Sequence, residues 1–129
     1  MADLARLVES YWEYHQRFTS ENRTDRLAAA DVEWAPEHVD NLVRSAPSEI
    51  ITLLVAIADG APDDTALAYL GAGPVEDLLC SGGSDVVFDR VEDAARRSAS
   101  FRKALRCAWF DDVLPRPIAT RLRAFGEPY

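Results

Sequence analysis

The chain has 129 residues, of which 48% are apolar and 28% charged, with 22 acidic against 14 basic side chains and a formal net charge of -8. A chain of this length and apolar content buries a core of its own, which excludes a disordered segment and a mini-domain that depends on disulfides. The acidic balance repels phosphate backbones and anionic lipid headgroups, so nucleic acid and membrane surfaces are unfavoured partners for the chain as a whole.

Apolar spacing predicts helix almost throughout. Leu4, Leu7, Val8, Tyr11, Trp12, His15 and Phe18 fall on one face of a helix over residues 3 to 18. The polar stretch from Thr19 to Asp25 reads as a loop, followed by a shorter helical piece around Arg26 to Glu33. Trp34-Ala35-Pro36-Glu37 is a helix start, with Val39, Leu42 and Val43 as its inner face and Pro47 beyond its end. Ile50 to Ile57 is apolar on every side, which assigns that helix to the centre. Asp59-Gly60 closes it, and Pro62-Asp63-Asp64 opens a helix carrying Leu67 and Leu70. Gly71-Ala72-Gly73-Pro74 is expected to break the chain as a tight interhelical turn before Val75, Leu78 and Leu79, and Gly82-Gly83-Ser84 breaks it again. Phe88, Val91 and Ala95 mark the next amphipathic helix. Ser98 or Ser100 caps the one holding Phe101, Leu105, Ala108 and Trp109, and Pro117 begins the last, which stops before Gly126.

No strand-length alternation of apolar and polar residues occurs. The expected fold is therefore all-α, a compact orthogonal bundle or helical-hairpin stack of about seven or eight short helices, forming one domain over 1–129. The charged N-terminus lacks the apolar stretch of an export signal. The longest uncharged run, Thr65 to Val75, has eleven residues and includes two glycines and a proline, too short and too broken for a membrane span. Cys80 and Cys107 stand alone, with neither CxxC nor zinc-finger spacing, and are expected to be reduced, half-buried thiols of a cytoplasmic protein.

Each motif that could carry chemistry also has a plainer explanation. A glycine-rich stretch before a helix invites phosphate, yet Pro74 offers no N–H, no Lys follows, and Glu76 and Asp77 place two negative charges in the first turn. Asp85, Asp89 and Glu92 share one helix stripe at i, i+4 and i+7 and read as a solvated face rather than a cation site. His15 sits among aromatic neighbours and reads as a core-edge histidine, since no nucleophile or partner carboxylate stands at a defined spacing. Trp12, Trp34 and Trp109 are assigned to the core, and Lys103, the single lysine, lies in an arginine-rich helix. No cofactor motif and no metal-ligand spacing is present.

The stretch Leu70-Gly-Ala-Gly-Pro-Val-Glu-Asp-Leu-Leu79, followed by Phe101-Arg-Lys-Ala-Leu105 and Trp109, resembles a family of small bacterial proteins known only as a domain of unknown function. The likeness runs from Trp34 to Trp109, with Val75 in place of a leucine, and the first helix matches less clearly. The resemblance implies a small helical domain and directs attention to Gly71, Gly73, Glu76 and Asp77 without bringing an activity.

Two functional readings follow. The first is a cytoplasmic protein-binding domain that occludes a partner protein, as an immunity or antitoxin-like factor would, its acidic charge steering it onto a basic partner. The second is a small enzyme or ligand-binding protein with an interhelical pocket where Glu76, Asp77 and His15 converge. The net charge conceals an asymmetry that bears on both. Residues 1–89 hold 17 acidic and 5 basic side chains, and residues 90–129 hold 5 and 9. Arg96, Arg97, Arg102, Lys103 and Arg106, with Arg116, Arg121 and Arg123 further on, either pair with the acidic remainder or face outward as a patch open to an anionic partner such as nucleic acid.

Overall fold

The structure is a computed structural model that describes residues 3–81 and 83–126; Gly82 of the expected break lies outside the described residues. Every regular element among them is helical. Helix α1 (Asp3–Phe18) buries Leu7 and Trp12, and the Trp12 indole N–H donates to the Ile57 carbonyl at 2.8 Å, joining the first helix to the centre. Its apolar stripe is longer than the surface it covers, for Leu4 and Phe18 at the two ends are 45% and 59% exposed. Helix α2 (Arg23–Ala28) begins inside the expected loop because the Asn22 side chain accepts from the Thr24 N–H at 2.8 Å. A 3-10 turn (Ala29–Val32) leads into α3 (Trp34–Ser45), whose Ala35, Val39 and Val43 are buried. The all-apolar α4 (Ile50–Asp59) is central as expected, packing against α1, α3 and the later helices.

The Gly-Ala-Gly-Pro segment departs from expectation. Helix α5 (Asp64–Leu70), capped by Asp63, does not stop at a turn; Gly71–Val75 form a π-helical segment that runs directly into α6 (Glu76–Ser81). Pro74 explains the widening, since in an α-helix its ring collides with the carbonyl one turn back and its missing N–H leaves that carbonyl unpaired. Gly71 has ordinary helical angles (φ -65, ψ -47), so no turn requires it. A Cβ there would instead fall on the Ala104 carbonyl and the Cys107 side chain. Glycine at 71 therefore lets the 64–81 rod lie directly on the next-but-one helix.

Helix α7 (Asp85–Arg97) is capped by Ser84. Ser98 caps α8 (Ala99–Arg106): its hydroxyl accepts from the Phe101 N–H at 3.0 Å and donates to Asp59 at 2.6 Å, fixing the α7–α8 corner to the end of α4. Helix α8 stops short of Ala108 and Trp109, and α9 (Arg116–Arg123) packs on α7. With the rod counted as one, the described residues form eight helices, an all-α bundle. Helix α8 touches α4, α5, the π segment and α7. Around this crossing Leu54, Ile57, Leu70, Phe101, Leu105 and Phe110 are fully buried, each contributing about 1.5–3 kcal/mol of hydrophobic stabilisation. No helix among the described residues is long and apolar enough to cross a membrane.

Candidate functional site

The residues singled out in the sequence do not form one site. The Glu76 carboxylate accepts from the Trp109 N–H at 2.7 Å, and the Cys80 thiol donates to the Trp109 carbonyl at 3.7 Å. The rod thus holds the backbone of the loop after α8 by both polar groups, while the Trp109 side chain is 64% exposed. Asp77 turns toward α3; burial raises its pKa, and the nearby Asp40 and Glu76 carboxylates raise it further, with Arg44 opposing them. His15 belongs to another neighbourhood, its ring 5.6 Å from Trp12 and 4.8 Å from Tyr69. Burial lowers its pKa and Asp63 partly restores it. Glu76, Asp77 and His15 therefore do not converge. A groove of about 330 Å³ between α4 and α7, lined by Ser48, Thr52, Arg90, Asp93 and Arg97 among others, contains none of the three.

The basic C-terminal third is largely consumed within the molecule. Arg96 bonds Glu92, Arg97 meets Asp93 at 3.2 Å, and Lys103 lies 3.5 Å from Asp64. Arg102 donates to the Ala95 carbonyl at 2.8 Å, and the Arg106 side chain fills the space beside Gly126, whose φ of 135 only glycine adopts readily. Arg123 donates from Nε and Nη2 to Asp111, and from Nη2 to the Ala108 carbonyl, while its guanidinium lies 4.0 Å over the Phe110 ring. Most of these cations thus have an intramolecular partner, while Arg96, Arg97 and Lys103 stay 59%, 78% and 49% exposed and the exposed Arg116 forms no ion pair or hydrogen bond among the described residues.

The Asp85/Asp89/Glu92 stripe is likewise more than a solvated face. Arg121 of α9 donates to Asp89 at 2.9 Å and to Glu92 at 3.0 Å, so two of the three carboxylates clamp the last helix. The Arg121 bond holds the Glu92 carboxyl below its ordinary pKa against the opposing effect of burial, with Arg96 helping. Of the three tryptophans only Trp12 is core; Trp34 is 36% exposed beneath the Arg6 guanidinium at 4.9 Å, and Trp109 is presented to solvent. Cys80 and Cys107 are half-buried free thiols, as expected, and burial raises both pKa values. Among the described residues no three His, Cys, Asp or Glu side chains are grouped to hold a metal ion.

A second stripe with the same i, i+4, i+7 spacing went unread in the sequence: Glu33, Glu37 and Asp40. All three are exposed, and no ion pair or hydrogen bond engages their side chains among the described residues. They border the Tyr11/Tyr14/His15/Phe18 face of α1. Asp40 raises the Tyr11 pKa after burial has done so, and Glu33 and Glu37 do the same to Tyr14. With Asp77 on the rod they form a continuous negative face across α3 and α6, elements that pack together.

The family model for a family of unknown function, DUF6869, matches residues 19–127. The chain belongs to this family. The match takes in the Gly-Ala-Gly-Pro motif, α3 and the Trp109 loop, and α1 precedes it. No curated protein and no solved structure shows significant similarity to the chain.

Proposed function

We propose that this member of the family is a protein-binding domain that occludes a basic partner protein, in the manner of an immunity or antitoxin-like factor. The observation that carries the reading is the unequal treatment of charge. Most cations of the last third have intramolecular partners, whereas Glu33, Glu37, Asp40 and Asp77 form no ion pair among the described residues, and Arg44 is the cation that acts on Asp77. Leaving like charges together costs stability; the Asp77 pKa, raised first by burial, is raised further by the Asp40 and Glu76 carboxylates. Such a face repels wrong partners and accelerates encounter with a positively charged one. Two lone thiols without a disulfide suit a reducing compartment and support a cytoplasmic site of action.

The test is capture from the native cell with the tagged protein, followed by titration of the recovered partner at rising salt. Affinity and on-rate should fall steeply as salt rises. The Glu37→Lys/Asp40→Lys/Asp77→Lys variant, altered only at exposed positions, should lose at least about a hundredfold in affinity, since like-charge juxtaposition costs several kcal/mol. A salt-insensitive complex, or one untouched by the triple reversal, refutes the proposal.

A further inference from the structure

Beside the carboxylate face lies an aromatic surface that the core does not use. Tyr14 and Phe18 stack at 5.5 Å with an interplanar angle of 14°, and Phe18 is 59% exposed. His15 meets Tyr69 of the rod at 4.8 Å, and Tyr69 is 56% exposed. On α1, positions 14, 15 and 18 lie at the C-terminal end of the apolar stripe, where the core no longer covers it, and the His15–Tyr69 contact carries the strip onto the rod. Glu33 and Glu37 act on Tyr14, Asp40 on Tyr11, and Asp63 on His15, which places carboxylates along its border. Three cations of neighbouring elements are already engaged. Arg17 pairs with Glu13 and caps the Ala28 carbonyl, Arg26 bonds the Ser20 carbonyl, and Arg44 bonds Asn41.

The molecule shows elsewhere what fills such a setting. At the C-terminal end Arg123 lies flat over Phe110 while Asp111 takes its Nε and Nη2 protons. Near the N-terminus Arg6 covers the Trp34 ring. In both places a planar, weakly hydrated guanidinium stacks on an aromatic face, and at the first it also bonds a carboxylate with its edge. The α1 strip offers the same two components, rings and carboxylates, with no guanidinium upon it among the described residues.

We infer that the Tyr14/Phe18/Tyr69 strip receives arginine side chains of the basic partner, so that the partner docks through an arginine-bearing segment. This rests on the proposed function above and adds a preference that net charge does not supply. An ammonium also pairs with the carboxylates, but it is compact and strongly hydrated and gains less from an exposed ring.

Octa-arginine and octa-lysine peptides, equal in charge, serve as probes in titrations with the intact chain at low salt. The arginine peptide should bind at least about fivefold more tightly, from two exposed cation–π contacts of about 0.5–1 kcal/mol each. In the Phe18→Leu/Tyr69→Leu variant that ratio should fall toward the one set by carboxylates alone, with lysine-peptide affinity unchanged; Phe18→Trp should keep the preference. Both substitutions are at exposed positions, and a circular-dichroism melt confirms that the variants fold. Equal binding of the two peptides, or a preference that survives the double variant, overturns the arginine seat and leaves the basic-partner reading standing. Failure of both peptides to bind removes both.

Discussion

Two carboxylate stripes with identical spacing behave differently in this molecule. On α7, Asp89 and Glu92 bind Arg121 and hold the last helix in place, with Asp85 at the free end of the row. Along α3 and at its N-cap, Glu33, Glu37 and Asp40 form no ion pair among the described residues, and their charges add to the burial that raises the pKa of Tyr11, Tyr14 and Asp77. The contrast extends to the two glycines of the motif: Gly71 is pressed against α8, and a Cβ on Gly73 would meet nothing within 4 Å. One side of the molecule spends its charges and small residues on packing, and the other leaves them available. A spacing pattern therefore identifies a helix face without saying whether a neighbouring helix will arrive to use it.

Substitution of the two glycines should divide along this line. Gly71→Ala should cost about 3 kcal/mol, at the upper end for overpacking, because the new methyl falls on backbone oxygen of α8 rather than on a movable side chain. Denaturant melts of that variant with an unchanged midpoint would contradict the close crossing of rod and α8.

Next in size is the clamp. Glu92→Gln should lose about 1 kcal/mol at neutral pH, discounted because its partner Arg121 is 44% exposed, whereas Glu37→Gln should be neutral or slightly stabilising. Acid titration sharpens the pair. Glu92 has its folded pKa lowered from 4.5, so its contribution is complete above 4.5 and disappears as pH falls through the folded value. Asp77, with its pKa raised from 3.8, opposes this, stabilising the fold as it takes up a proton. Melts from pH 6 to 3 should show a shallower acid loss in Glu92→Gln than in the parent, and a parallel pair of curves would break the comparison. The smallest effect is Gly73→Ala, for which a gain of roughly 0.4–1 kcal/mol is expected from reduced freedom of the unfolded chain.

Much of the fold was legible because helices announce themselves locally. The periodicity of α1, the all-apolar α4, the Asp63 and Ser98 caps and the family motif were all readable from neighbours in the chain. Gly-Ala-Gly-Pro was misread because glycine and proline signal a break in isolation. A π segment satisfies the same residues when another helix packs against Gly71. The candidate site was less legible. Glu33, Glu37 and Asp40 could have been found by the spacing test that found Asp85, Asp89 and Glu92. Their lack of cations, by contrast, depends on helices far away in sequence. Trp109 looked like core because it continued the α8 pattern, and it is exposed because the helix stops at Arg106.

The sequence by itself determined an acidic all-α domain, most of its helix starts, its central helix, and the charge imbalance between its first two thirds and its last. These are properties of composition and of residues within a turn or two of one another. Only the tertiary structure decided where that imbalance remains. Folding brings Glu92, Asp89, Asp111 and Asp64 to the arginines and the lysine of the C-terminal helices, whereas on α3 Arg6 covers the Trp34 ring and no ion pair forms with Glu37 or Asp40 among the described residues. Charges cancel only across a few ångströms, and which charges come that close is set by the packing of helices far apart in the chain.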